Sequence, residues 1–115
     1  MVKSVLSVNH QGLTDWLIQR VSAIVMTIYS LGLLAYLVVQ SEMDYTAWHA
    51  LFSHGWMKLA TLLFILCLLF HAWVGMWTVF TDYIKPFLLR FILQLIVFLS
   101  LVSFFFASLL ILWGV

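Results

Sequence analysis

Three stretches of this chain contain no Asp, Glu, Lys or Arg: residues 21–41, 59–81 and 91–115, which are 21, 23 and 25 residues long. About 20 residues at 1.5 Å rise cross the roughly 30 Å hydrocarbon core of a bilayer. A helix satisfies its own backbone hydrogen bonds there, which lipid cannot do. Composition points the same way, with 66% of the 115 residues hydrophobic, 8% charged and a mean hydropathy of +1.18. Soluble domains carry roughly 45–50% apolar and about 25% charged residues. Five Lys and Arg plus four Asp and Glu are too few to solvate the surface of a small globule. A soluble enzyme, a secreted disulfide scaffold and a disordered chain are thereby excluded. Cys67 is the single cysteine and forms no internal bridge. A net charge of +1 without a basic stripe provides no electrostatic footprint for nucleic acid.

The expected fold is all-α: one integral membrane domain over residues 1–115, with transmembrane helices at about 14–40, 57–82 and 87–113. The first apolar run is longer than the 7–15 residues of a signal-peptide core, and no small-x-small cleavage site closes it. It reads as an uncleaved helix starting near residues 13–16, with Thr14 or Asp15 able to cap its N–H groups. Pro86 suits the start of the third helix, because a first-turn proline loses no helical hydrogen bond. Residues 40–56 form the longest polar connection, with Trp48 and Trp56 as interfacial anchors. Lys3, Arg20, Lys85 and Arg90 fall on one side of such a bundle and Lys58 on the other. The positive-inside rule then places the N-terminus in the cytoplasm and the C-terminus in the periplasm. Few Gly-xxx-Gly patches are present for tight self-association, so the chain reads as part of a heteromeric helical bundle.

His71 is the informative residue, lying next to the centre of the second charge-free stretch. Ionisable side chains at that depth normally face a bundle interior or cavity. The charges nearest in sequence, Asp82 and Lys58, are roughly 16 and 20 Å away along a helix axis. A neutral imidazole there needs a partner for one nitrogen. A metal, in lipid most naturally a haem iron, supplies one; a hydrogen bond to a neighbouring helix supplies another. At 100° per residue Cys67, His71, Gly75, Thr78 and Asp82 share a stripe. Gly75 leaves room one turn from the histidine, for a flat macrocycle or for close helix packing. Cys67 fits a buried small hydrophobe. Tyr83 fits either an aromatic anchor or a phenol donating to a carbonyl at the interface. Asp82 fits a solvated loop charge, and His10, His49 and His54 fit surface positions.

The string His71-Ala72-Trp73-Val74-Gly75-Met76-Trp77, followed by Asp82-Tyr83-Ile84-Lys85-Pro86, resembles the hydrophobic membrane anchor of succinate dehydrogenase, the D-type anchor of bacterial complex II. Arg20-Val21-Ser22-Ala23-Ile24-Val25, Leu89-Arg90 with Gln94-Leu95, and Trp113-Gly114-Val115 extend the likeness over nearly the whole chain. Residues 40–56 carry none of it. The resemblance implies that His71 is one axial ligand of a haem b, the other coming from a companion C-type cytochrome b anchor. It implies that Tyr83 hydrogen-bonds ubiquinone, that Asp82 supports that site or its protons, and that Arg20 lies near the haem propionates or the quinone. Flavoprotein and iron–sulfur subunits oxidise succinate in such complexes, which join the tricarboxylic acid cycle to the respiratory chain. The anchor itself is non-catalytic and multi-pass in the bacterial inner membrane.

Two other readings are compatible with three spans and one histidine. The related anchor of a quinol:fumarate reductase serves the reverse reaction. A small transporter or channel gated by His71 belongs to another class and needs more polar groups along its path than Thr61 and Cys67.

Overall fold

The computed structural model describes residues 10–114. Lys3, counted above for orientation, and Val115 of the terminal motif lie outside them. Four helices follow in order: α1 (His10–Val39), α2 (Tyr45–Ser53), α3 (Gly55–Tyr83) and α4 (Phe87–Trp113). Three are long and apolar enough to cross a bilayer, over Gly12–Val39, Gly55–Tyr83 and Phe87–Trp113. The chain is a multi-pass, all-α membrane protein.

Helix α1 is already formed at His10, so Thr14 and Asp15 lie inside it and neither can cap it. The apolar run locates the membrane-facing part of a helix, whereas the backbone continues wherever no breaker stops it. At the other junction Pro86 is the N-cap of α4, one residue ahead of the first turn. Its carbonyl accepts the Arg90 N–H at 3.0 Å. The proline ring also disfavours helical geometry at Lys85, and α3 ends just before it, with the Ile84 N–H bonded to Phe80 O at 3.0 Å.

The connection read as the longest polar stretch contains α2. The Asp44 carboxylate accepts the Ala47 N–H at 2.8 Å, which satisfies one of the amides left free at a helix start. Leu51 and Phe52 of α2 are buried with Met57 and Leu112, and Tyr29, Leu33, Leu62 and Ile65 pack against them. This small cluster ties all four helices together at one end of the molecule. A single extended residue, His54, separates α2 from α3. The Lys58 ammonium lies 5.8 Å from the Trp113 ring and joins α3 to α4 at the same end.

Helix α3 is central and packs against α1, α4 and α2. Two interhelical hydrogen bonds pin α1 antiparallel to it: Ser22 Oγ to His71 Nδ1 at 3.1 Å, and Tyr29 Oη to Thr61 Oγ1 at 2.7 Å. Ser22 and Thr61 are the buried polar residues among those described, at 3% and 9% exposure. In lipid an unpaired hydroxyl is costly, so these pairs select one register between the helices. On α4, Ser100, Ser103 and Ser108 instead bond the carbonyls of Ile96, Leu99 and Phe104 in their own helix, a local solution that leaves that helix apolar outward. Trp73 packs edge-on to Phe98, ring centroids 5.9 Å apart, and so joins α3 to α4. Only 6% of each hydrophobic window is buried within the chain. Lipid or other subunits must cover the remainder.

Candidate functional site

His71 lies near the middle of α3, with Ser22 of α1 against its Nδ1. The Ser22 hydroxyl also reaches the Gln19 carbonyl oxygen at 3.1 Å. Among the described residues the other ring nitrogen, Nε2, has no hydrogen-bond partner. It is not one of the buried atoms lacking a partner either, which reduce to Gln19 Oε1. Nε2 is therefore accessible at the chain's surface and can accept a bond from outside. One turn away, a Cβ built on Gly75 would meet a single atom within 4 Å, Gln19 Nε2 at 3.6 Å. The rest of the space beside that glycine is open. A groove of about 350 Å³ runs between the helices alongside, lined by Leu17, Ile18, Val21, Ser22, Cys67 and Phe70.

The antiparallel register also locates Arg20. It sits two residues from Ser22, about 3 Å along α1, and so close to the depth of His71. The sequence reading put it at the cytoplasmic end of a span; the difference arises because α1 continues ten residues beyond Arg20 towards the N-terminus. Its guanidinium is exposed and lies 5.5 Å from the Trp16 ring. A cation over an aromatic face keeps its N–H groups available at the edge.

Asp82 and Tyr83 end α3, and both are exposed, Tyr83 at 77%. Eleven and twelve residues from His71, they lie roughly 16 and 18 Å from it along the axis. They share no contact with the histidine pair and form a separate feature at the helix terminus. Thr78, on the stripe between, turns its hydroxyl back to the Val74 carbonyl at 2.9 Å. A larger cavity, about 610 Å³, opens on the α4 side of α3 between Trp73, Trp77, Thr81, Arg90 and Gln94.

Two residues of the histidine site were not singled out by sequence reasoning for a role there: Ser22 and Gln19. Ser22 carried little signal, since it opens the charge-free run and lies near the middle of α1 only because that helix is already formed at His10, and its partner depends on the register between two helices.

The residues present can accommodate a haem edge: an imidazole with its outer nitrogen unbonded, open space beside Gly75, and a buried amide oxygen on Gln19 without a donor. Among the described residues no cluster of three or more His, Cys, Asp or Glu exists. His71 is, among the described residues, the one histidine within the three charge-free stretches. Among the described residues the buried hydroxyls of Ser22 and Thr61 are each engaged across α1 and α3.

Comparison with known proteins agrees with this architecture. The model of the succinate dehydrogenase/fumarate reductase transmembrane subunit matches residues 3–110. The succinate dehydrogenase hydrophobic membrane anchor subunit of Coxiella burnetii (strain RSA 493 / Nine Mile phase I) is 43% identical over 105 residues, 91% of each chain. With a match across almost its entire length and three spanning helices to go with it, the chain belongs to the succinate dehydrogenase/fumarate reductase transmembrane subunit family.

Proposed function

We propose that this chain is the hydrophobic membrane anchor of a succinate:ubiquinone oxidoreductase, ligating one axial position of a haem b through His71 Nε2. One observation carries the reading. A mid-membrane imidazole has its inner nitrogen held by Ser22 at 3.1 Å and its outer nitrogen without a partner among the described residues. The partners are those the family resemblance implies: a companion C-type anchor would supply the iron's other protein ligand and cover the apolar faces. Iron–sulfur and flavoprotein subunits dock at the cytoplasmic surface, where succinate oxidation takes place without any bond chemistry in this chain. A bound haem would supply one-electron storage close to the path between those subunits and the quinone.

The remaining residues act around these electrons. Arg20, level with the histidine and with its guanidinium edge available, neutralises a carboxylate such as a haem propionate. Its depth favours that role over contact with a quinone at Tyr83, which lies about ten residues further along the bundle. Tyr83 and Asp82 sit at the water boundary. Reduction of ubiquinone takes two electrons and two protons, and a phenol donating to the quinone carbonyl oxygen both orients the ring and can deliver a proton to it. Asp82 beside it accepts a proton from water and returns it to the phenol. Lys85 and Arg90 flank this end while Lys58 marks the other, a charge bias that supports a cytoplasmic Tyr83 and a periplasmic C-terminus in the bacterial inner membrane.

The reduced-minus-oxidised visible spectrum of the purified complex tests the ligand. His71→Ala in a correctly assembled complex is expected to abolish or shift the b-type absorption. An unaltered spectrum removes His71 from the iron.

A further inference from the structure

We propose that Ser22 is the positioning residue of the His71 ring: it accepts a hydrogen bond from Nδ1–H and so keeps Nε2 deprotonated and turned out towards iron. The proposal rests on the reading of His71 as a haem ligand. Ser22 is 3% exposed, and its hydroxyl lies 3.1 Å from both His71 Nδ1 and the Gln19 carbonyl. The hydroxyl has one proton, and a neutral imidazole has one N–H. If the hydroxyl donates to the Gln19 carbonyl, its oxygen receives Nδ1–H; both protons are then bonded and Nε2 is bare. If the hydroxyl donates to Nδ1 instead, the ring proton moves to Nε2, which has no acceptor among the described residues. The first arrangement makes two hydrogen bonds, and the second makes one and leaves an N–H unpaired in hydrocarbon. The first therefore prevails, and it is the tautomer that can bind a metal.

The same bond acts on the bound state. Iron on Nε2 obliges Nδ1 to hold the proton. An acceptor there fixes the ring's rotation and raises the basicity of the ligating nitrogen. A more basic ligand stabilises ferric over ferrous iron. Loss of a hydrogen bond of this kind typically lowers metal affinity by about 10- to 100-fold. A tenfold loss confined to the ferric state corresponds to an upward shift of about 59 mV in a one-electron potential.

The test uses the assembled complex in detergent, with two readouts independent of turnover: the midpoint potential of the b-type absorption, and the rate of haem transfer to apomyoglobin. Ser22→Ala is expected to raise the potential and speed haem release about tenfold, while Ser22→Thr, which keeps the hydroxyl, stays near the parent. Ser22→Val matches the threonine in shape and lacks the hydroxyl, so it should follow the alanine variant. If Ser22→Ala does not assemble, the Thr and Val variants give the same comparison. A purely structural serine would change assembly yield and leave the potential where it was. Parent-like potential and release in Ser22→Ala, or Thr and Val variants that behave alike, overturn the proposal. His71→Ala separates the two levels. Retention of an unaltered haem there removes the ligand and this proposal with it, whereas loss of haem there with a parent-like Ser22→Ala removes the proposal alone.

Discussion

Replacing Tyr29 by Phe and Thr61 by Val, singly and together, measures how firmly α1 and α3 are held in register. The two hydroxyls are 2.7 Å apart, Thr61 is 9% exposed, and the Tyr29 ring stacks on Phe64 with centroids 4.6 Å apart. Both substitutions preserve shape, so the ring stack and the packing survive and only the hydrogen bond is lost. Either single change leaves the partner hydroxyl unsatisfied in an apolar setting, at a cost of about 1–3 kcal/mol. The double change removes both groups and their unmet demand. Hydrogen bonds between membrane helices show coupling of about 0.6 kcal/mol on average and about 1.7 at most. The cycle should accordingly return a coupling free energy in that range, equivalent to about 3- to 20-fold in an unfolding equilibrium. Thermal or steric-trap unfolding of the detergent-solubilised complex gives the four stabilities required. Additive single effects, with the double variant as unstable as their sum, would refute the claim that this pair fixes the register that brings Ser22 to His71.

Two further outcomes concern the site. Tyr83→Phe should lower ubiquinone reduction by about 10²-fold or more, as expected when a positioned proton donor is removed; succinate oxidation by an artificial acceptor should be spared, and equal losses in the two assays would count against a quinone contact. Gly75→Ala should be tolerated because its Cβ would stand 3.6 Å from Gln19 Nε2, an ordinary contact, whereas Gly75→Leu should fill the space beside the histidine and reduce the haem-to-protein ratio of the complex.

Much of this architecture was legible because hydropathy and charge report membrane contact directly. The charge-free runs locate three spans, and Pro86 marks the break between the last two with its ring and missing N–H. The start of α1 was less legible: a polar turn from His10 can be helical without being apolar, and Thr14 and Asp15 resemble caps until the preceding turn is seen to be formed. Helix α2 lay hidden in the polar connection. Its traces were the Asp44 cap three residues before Ala47 and the adjacent pair Leu51 and Phe52, which become buried only when α3 and α4 arrive. For the site, the depth of His71 followed from counting alone. Its partner did not, because a residue's neighbours on another helix depend on register, and register is set by long-range pairs such as Tyr29 and Thr61. The depth of Arg20 was hidden for the same reason: charge suggested a span end, while the antiparallel packing sets it near the level of the histidine. Trp73, which the sequence offered only as part of the string after His71, packs between α3 and α4 against Phe98.

An experimental structure of the intact complex, resolved well enough to orient the His71 imidazole, tests the central claim most directly. It should show Nε2 coordinated to a porphyrin iron whose opposite face is held by a side chain of the companion anchor, with Nδ1 still on Ser22. A His71 ring whose Nε2 meets only lipid tails or another helix, with no iron bonded to it, would contradict the account.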